Sequence, residues 1–411
     1  MTSTERHEAR YRRRKSKREA KRREHAEKYD DFERLSSVSA LIKSHWDSRK
    51  GVMWKASVAR YDAHFFRNAR RASRSMREGK DTRMGFYHFN IVERGKPREV
   101  HSLHYAERVI RRSVCMNAMV PILSHNLIYD NGASLKNKGI TFHIDRCERQ
   151  LREYFREYGD NEGYVLIIDF RKFFDNIEHE PVFQMYDEYI KDNRLNAICK
   201  GFVTATGTKG LYIGPEDSQI TAVSFPNSID HLIKDSWRIK GYGRYMDDSF
   251  IIMRDKKALM QYRDLLLQEF SKIGIIPNPK KTQIVKLSRG FTFLKTQFFL
   301  TKTGRVIKKP CRGSVIRERR KIKAFRRFCD SGIMTDEQSN YSYMSWRGSL
   351  KDRDSHRTLR ETDLLYYRLF TVKPWVCKKK RKGNHHVRDH YQYAGKQHGC
   401  PGGNHRPQVA A

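Results

Sequence analysis

The sequence predicts an α+β fold, and three observations carry that expectation. An apolar run, Tyr164-Val165-Leu166-Ile167-Ile168, ends in Asp169 and reads as a buried strand. Arg244 to Met253 reads as strand, tight turn and strand, with Asp247 and Asp248 at the turn, where acids stay hydrated. Apolar residues at helical spacing lie between and beyond these strands. From Ser218, placed as an N-cap, Ala222, Phe225, Ile229, Leu232, Ile233 and Trp237 mark a helix that Pro226 should kink. Leu259, Tyr262, Leu266, Phe270 and Ile273 mark an amphipathic helix ending near Gly274. Phe291-Thr292-Phe293-Leu294 and Gln297-Phe298-Phe299-Leu300 read as a hairpin, and the last folded stretch, about 314–370, is basic and helical.

Composition bounds what such a fold can do. The 411 residues include 84 Lys and Arg against 47 Asp and Glu, a formal net charge of +37, which makes nucleic acid the leading partner. At 38% hydrophobic and 12% aromatic the chain can build a core, so a wholly disordered basic protein is excluded. No apolar run approaches the ~20 residues that cross a bilayer, and the charged stretch Met1 to Arg23 lacks the apolar segment of a secretory signal. The expectation is therefore a cytoplasmic protein with no membrane partner. Seven cysteines without a CxxC pair suggest reduced thiols.

Charge also divides the chain. Residues 1–30 carry 12 Lys or Arg and 6 acids with no apolar stripe, the pattern of a solvated helix or a flexible arm. Residues 371–411 carry 9 Lys or Arg and one acid, Asp389, and read as a disordered, RNA-binding tail. Cys377, His385, His386, His390, Cys400 and His405 in that tail are metal-ligand types, but their spacing fits no zinc pattern.

The chemistry points to three aspartates. A carboxylate ending a buried strand is costly unless it is paired or holds a metal, and adjacent acids on a turn repel unless a cation lies between them. Brought together, Asp169, Asp247 and Asp248 would offer oxygen ligands to two Mg²⁺ ions, with Mn²⁺ as an alternative. Two such ions, roughly 3.5–4 Å apart, suit the attacking and leaving oxygens of a phosphoryl transfer. Taken alone, Asp-Asp is an ordinary polar turn.

The order of motifs is what lifts it above that. Asp169 with Phe173-Phe174-Asp175 is followed by Ile213-Gly214-Pro215-Glu216-Asp217-Ser218-Gln219, then Tyr245-Met246-Asp247-Asp248, Asn278-Pro279-Lys280-Lys281-Thr282 and Phe293-Leu294-Lys295. Upstream stand Gly95-Lys96-Pro97-Arg98-Glu99, Glu107-Arg108 and Pro121-Ile122-Leu123. From about 85 to 370 this series resembles the reverse transcriptases: motif A, the motif B loop and helix, the YxDD box, motif D and the primer-grip hairpin. The resemblance implies a right-hand polymerase with fingers, an antiparallel-sheet palm and a helical thumb, plus basic terminal extensions. Its expected divisions are an extension over 1–40, fingers and palm over 41–310, thumb over 311–372 and tail over 373–411. The implied activity is extension of a DNA or RNA primer with dNTPs on an RNA template. Ile213-Gly214 and Ser218-Gln219 form IGxxxSQ, which looks like the diversity-generating retroelement enzymes, bacterial or phage-encoded. That lineage implies a basic accessory protein as partner. The rival lineages are anti-phage defence enzymes, associated with a structured non-coding RNA, and group II intron maturases. A non-enzymatic scaffold with a degenerate polymerase fold is the reading from another class.

The resemblance also assigns roles. Asp169 and Asp247 stand as metal ligands with Asp248 in support, and Lys281 as general acid toward pyrophosphate. Lys96, Arg98, Phe170, Phe174, Gly214 and Gln219 stand around the incoming nucleotide, Arg98 suiting the triphosphate and Phe174 the gate against a ribose 2′-hydroxyl. Ile213, Ser218, Tyr245, Met246, Leu294, Arg317 and Arg320 stand along template and primer, with Arg319, Lys321, Lys323, Arg326 and Arg327 extending the thumb's basic surface. Four features depart from the family pattern: Glu216-Asp217 puts acids in a loop expected near nucleic acid, Lys295 replaces a usual glycine, Pro226 interrupts the motif B helix, and the long basic ends exceed a compact enzyme of this kind.

Overall fold

A computed structural model of the chain describes residues 3–93 and 96–370, so the expectations for the tail lie outside the described residues. The basic N-terminus forms one long helix, α1 (Ser3–Glu27), free of Gly and Pro and supported by i,i+4 ion pairs such as Glu8–Arg12 at 2.6 Å. It is solvated along most of its length, as its composition requires. Its last turns, however, dock on the body. The Arg22 guanidinium lies 3.5 Å from the centre of the Tyr189 ring, and His25 stacks on His125 at 3.6 Å.

The chain then stays mostly helical through α2 (Phe32–Ser36), α3 (Val38–Ser48), α4 (Ala56–Asp62) and α5 (Phe65–Arg77). A hairpin of β1 (Phe86–Glu93) and β2 (Lys96–Leu103) forms a separate two-stranded sheet. Then α6 (Tyr105–Val114) passes through a π-helical turn, Cys115–Met119, into α7 (Val120–Ser124). The palm begins with α8 (Ile140–Tyr158), β3 (Tyr164–Asp169), α9 (Phe173–Asn176), α10 (His179–Tyr189) and α11 (Asn193–Thr204).

The single helix expected from Ser218 to Trp237 is instead three segments. α12 (Glu216–Ser224) starts two residues earlier, after Pro215, with Ser218 buried inside its first turn. Pro226 lacks the N–H that would continue the ladder, and α13 (Asn227–His231) restarts beyond it before a π-helical turn, Leu232–Ser236. Two strands, β4 (Gly241–Tyr245) and β5 (Asp248–Met253), then α14 (Lys256–Lys272) and β6 (Gln283–Lys286) complete the palm, close to the expected bounds.

The palm sheet has the order β4-β5-β3-β6, with every pairing antiparallel. Both of its faces are covered, which explains the unbroken apolar run of β3. Leu166 and Ile168 join the large core beneath the helices, while Val165 packs with Phe250 and Ile252 in a second core against α8. The expected hairpin is β7 (Phe291–Phe293) and β8 (Thr296–Leu300). A further strand, β9 (Val306–Pro310), pairs with β8 and was not foreseen. The last three helices, α15 (Arg312–Asp330), α16 (Asp336–Gly348) and α17 (His356–Leu369), pack around Ile322, Tyr343, Tyr366 and Phe370.

Candidate active site

Asp169 closes β3 and is 8% exposed. Antiparallel register places it directly across from Asp248, the first residue of β5. Tyr245 and Asp248 pair as the last rung of the β4–β5 hairpin, which leaves Met246 and Asp247 as its two-residue turn. Met246 has φ +58°, a left-handed conformation that a non-glycine residue holds only when neighbours fix it. Arg244 fixes it: its Nη1 donates to the Met246 carbonyl at 3.1 Å.

The same guanidinium is buried against Asp230, with Nη2 to Oδ2 at 2.6 Å and Nε to Oδ1 at 2.9 Å. Its Nη2 also donates to the Val223 carbonyl of α12 at 2.8 Å, and the Tyr242 hydroxyl donates to Asp230. A fully buried Asp–Arg pair is tolerated because nearly every donor on the fork finds an acceptor. The turn that carries Asp247 is thereby tied to the helix that follows the 213–214 loop.

Asp169 is held from the other side. Lys281 Nζ donates to its Oδ2 at 2.7 Å, Asn278 Nδ2 to its Oδ1 at 3.2 Å, and the Asn278 amide to its carbonyl at 2.7 Å. The segment 278–281 is thus stitched to the end of β3. Electrostatics register the crowding. Burial, then the charges of Asp247 and Asp169, push the Asp248 carboxyl up to about 7 against the pull of Lys281. Asp247 is raised by burial and by Asp169. The hydrogen bond to Asp169 raises the Lys281 ammonium above its ordinary value. Three carboxylates crowded at one sheet edge, with Lys281 bonded to the first, form an all-oxygen donor set suited to a hard divalent cation.

The loop before α12 lies beside the fingers. Gly214 has φ +127°, and a side chain there would sit 3.9 Å from the His101 carbonyl of β2. Ile213 is 56% exposed, its apolar side chain offered to solvent. The two acids that follow, expected in a loop near nucleic acid, are engaged by arginines of α6. Asp217 is buried on Arg111 at 2.7 Å, and Glu216 pairs with Arg112 at 2.8 Å. Arg111 and Arg112 of α6 neutralise them and pin the start of α12.

Residues 117–298 match the family model described as reverse transcriptase (RNA-dependent DNA polymerase). The matched stretch takes in Asp169, Asp247, Asp248 and Lys281. The α+β architecture, with the antiparallel sheet β4-β5-β3-β6 inside the matched residues, is consistent with a right-hand polymerase fold. No curated protein sequence matches the chain. Among solved structures it is similar to the apo telomerase of Candida tropicalis truncated of its C-terminal domain. That likeness has 14% identity and a TM-score of 0.43, covering 55% of each chain. It is also similar to Candida albicans telomerase in complex with a TWJ fragment of telomeric RNA, at 12% identity and a TM-score of 0.44, covering 71% of this chain and 62% of that one. The chain thus spans between half and two thirds of the length of these telomerases.

Within the matched residues, the structure brings Asp169, Asp247, Asp248 and Lys281 into one site. Phe174 is half-buried, and its carbonyl accepts from Leu211 N at 2.8 Å, beside the stretch of loop leading to Ile213. Gln219 is partly exposed; its Oε1 accepts from Ser134 at 3.0 Å and its Nε2 approaches the Gly214 carbonyl. Tyr245 is half-buried, with its ring 5.6 Å from that of His143. Leu294, at φ +46°, and Lys295, at φ +58°, form the β7–β8 turn, doing without the usual glycine.

Two expectations of a side chain facing substrate are corrected. The Phe170 ring is 3% exposed and packs on Phe173 and Phe270, because the residue after Asp169 on the strand points to the opposite, helix-covered face. Ser218 is buried in α12, one turn away from the exposed Ile213 and Gly214. The backbones of Lys96 and Arg98 lie on β2, while their side chains are outside what the structure describes. On α15, Arg317 and Arg320 are exposed, as a duplex-tracking face needs. Arg319 and Arg326 are drawn into ion pairs with Glu361 and Asp330.

Three participants had no role assigned from sequence: Asn278, Arg244 and Asp230. Asn278 stood within a quoted motif and Arg244 opened the strand-turn-strand run beside another, and the signal available was that each is a polar residue close to catalytic types. Asp230 carried no signal, since its partner is 14 residues away across a break in the helix.

Proposed function

We propose that this chain is an RNA-directed DNA polymerase that extends a primer 3′-hydroxyl with dNTPs on an RNA template, by divalent-metal-dependent nucleotidyl transfer. The observation that carries the reading is the convergence of Asp169, Asp247 and Asp248 at the ends of the two central strands of the sheet, with Lys281 bonded to the first. Asp169 and Asp247 would hold Mg²⁺ with Asp248 beside them. When bound, the ions supply the charge that activates the attacking hydroxyl and stabilises the leaving pyrophosphate.

The protein's own groups do the remainder. Lys281 carries a proton within reach of the carboxylates and is placed to deliver it to the departing pyrophosphate. Phe174 narrows the space beside the sugar. Arg98 and Lys96 would steady the triphosphate, and the exposed Arg317 and Arg320 would follow the duplex backbone. As partners we infer template RNA, a DNA or RNA primer, and dNTPs.

The finer reading is a diversity-generating retroelement enzyme. It is supported by Ile213-Gly214 with Ser218-Gln219 and by the exposure of Ile213, which offers no hydrogen bond to a template base, so discrimination there rests on shape. Primer extension on a defined RNA, beside an Asp247→Ala/Asp248→Ala protein and with the products sequenced, tests both levels. Loss of extension in the variant is expected, with errors concentrated opposite template adenines. Accurate cDNA would move the assignment to a defence or other lineage. A wild type inert with its native RNA would favour a scaffold.

A further inference from the structure

The β1–β2 hairpin carries a cluster that the polymerase reading does not use. His88 and His101 are directly opposed across the two strands, and Glu99 stands two residues from His101, on the same face of the ribbon. Their donor atoms converge. His88 Nδ1 lies 2.9 Å from His101 Nδ1 and 3.4 Å from Glu99 Oε1, and one donor from each residue falls within 4.8 Å of the others. His88 and Glu99 are exposed and His101 is half-buried.

Hydrogen bonding alone does not account for this geometry well. Two imidazole nitrogens at 2.9 Å share one proton at most, and a single N–H on His88 cannot point at both His101 and Glu99. A cation satisfies all three lone pairs at once. Tetrahedral ligands held at about 2.0–2.1 Å from Zn²⁺ sit roughly 3.4 Å from one another; the His88–Glu99 separation matches this, while on binding the 2.9 Å His88–His101 contact would open and the widest spacing of the set, within 4.8 Å, would close. Two imidazoles and one carboxylate are a borderline-soft set. They suit Zn²⁺ and its neighbours, whereas the all-oxygen site on the palm suits Mg²⁺.

We propose that His88, Glu99 and His101 form a transition-metal site of the zinc class, with a fourth position open to water, that clips the two strands of the fingers hairpin. An isolated two-stranded ribbon is marginally stable, and among the described residues this one pairs with no other sheet, so a ligand bridging its strands fixes their register. The clip reaches the palm side too. The His101 ring lies 4.2 Å from that of Tyr212, the residue before Ile213. Metal on the hairpin therefore stiffens both β2, which carries Lys96 and Arg98, and its contact with the 213–214 loop.

The test uses full-length protein stripped with a chelator, then titrated with Zn²⁺ by equilibrium dialysis and with Co²⁺ by visible absorption. It compares wild type with His88→Ala and Glu99→Gln, each also in an Asp247→Ala/Asp248→Ala background. Both residues are exposed, so their replacement spares the fold, and donors elsewhere in the chain are common to every protein compared. Wild type is expected to bind one Zn²⁺ more per chain than His88→Ala, with the difference kept in the Asp247→Ala/Asp248→Ala background and resistant to excess Mg²⁺. Hydrogen exchange across 86–103 should slow on adding Zn²⁺ in wild type and not in His88→Ala. Equal stoichiometry in wild type and His88→Ala overturns the proposal. So does a difference that disappears in the Asp247→Ala/Asp248→Ala background, which would assign the ion to the palm carboxylates.

Discussion

Replacing Asp248 by Asn should stabilise the metal-free protein while abolishing its chemistry. In the folded chain the Asp248 carboxyl is pushed from 3.8 to about 7, first by burial and then by Asp247 and Asp169. For an acid raised on folding, the native state keeps its proton to higher pH than the unfolded chain. The native state is therefore unpenalised below about pH 4, loses stability as pH rises toward 7, and stays penalised above it. At about 1.4 kcal/mol for each tenfold change in proton affinity, the ceiling is about 4 kcal/mol. The side chain is only half-buried, and solvent screening reduces this to about 1–2 kcal/mol. The assay is thermal and urea unfolding in a chelator from pH 5 to 8, on wild type and Asp248→Asn. Wild-type stability should fall more steeply across that range, leaving the variant ahead by about 1–2 kcal/mol at pH 8. Added Mg²⁺ should then narrow the gap by binding the wild-type carboxylates in preference. Parallel pH slopes, or a variant no more stable than wild type at pH 8, would refute the argument that these acids strain the fold.

Four further outcomes follow from the geometry. Arg244→Met leaves Asp230 buried without its partner and should cost about 3–5 kcal/mol in urea unfolding; a loss below about 1 kcal/mol would contradict the network described. Lys281→Gln should lower single-turnover primer extension by about 10²–10⁴-fold, with little change in stability; an unaltered rate would remove Lys281 from the proton transfer. Phe174→Ala should raise ribonucleotide incorporation relative to dNTPs by about 10–200-fold in competition assays, and unchanged selectivity would return Phe174 to the core. Arg317→Gln/Arg320→Gln should reduce the log–log salt slope of duplex binding by roughly 0.9 for each phosphate left without its arginine, read by fluorescence anisotropy; an unchanged slope would put the duplex elsewhere.

What could be read from sequence was local. The strand ending at Asp169, the Tyr245–Asp248 hairpin, the helix ending before Gly274 and the β7–β8 hairpin all lie near their expected positions, because each is specified by periodicity and turn chemistry within about ten residues. What escaped depends on partners distant in the chain. Glu216 and Asp217 look misplaced beside a nucleic-acid loop until Arg112 and Arg111, more than a hundred residues upstream, are seen beneath them. Helix α1 has no apolar stripe, so nothing in its pattern announces that Arg22 lies on Tyr189, 167 residues on. Phe170 and Phe174 are alike in composition, and only the alternation of the strand and the start of α9 separate a core ring from a half-buried one.

The arginines at either end of the motif B segment have a consequence for how the enzyme can change. Arg111 and Arg112 fasten the beginning of α12, and Arg244 fastens its far end to the turn bearing Asp247. Between the fingers and those fasteners, Ile213 and Gly214 project without bearing on either anchor. A substitution at Ile213 therefore leaves untouched the contacts that hold the carboxylates in their places. The exposed loop and the carboxylate-bearing turn are mechanically separable in this molecule, so the first can vary in sequence without disturbing the second.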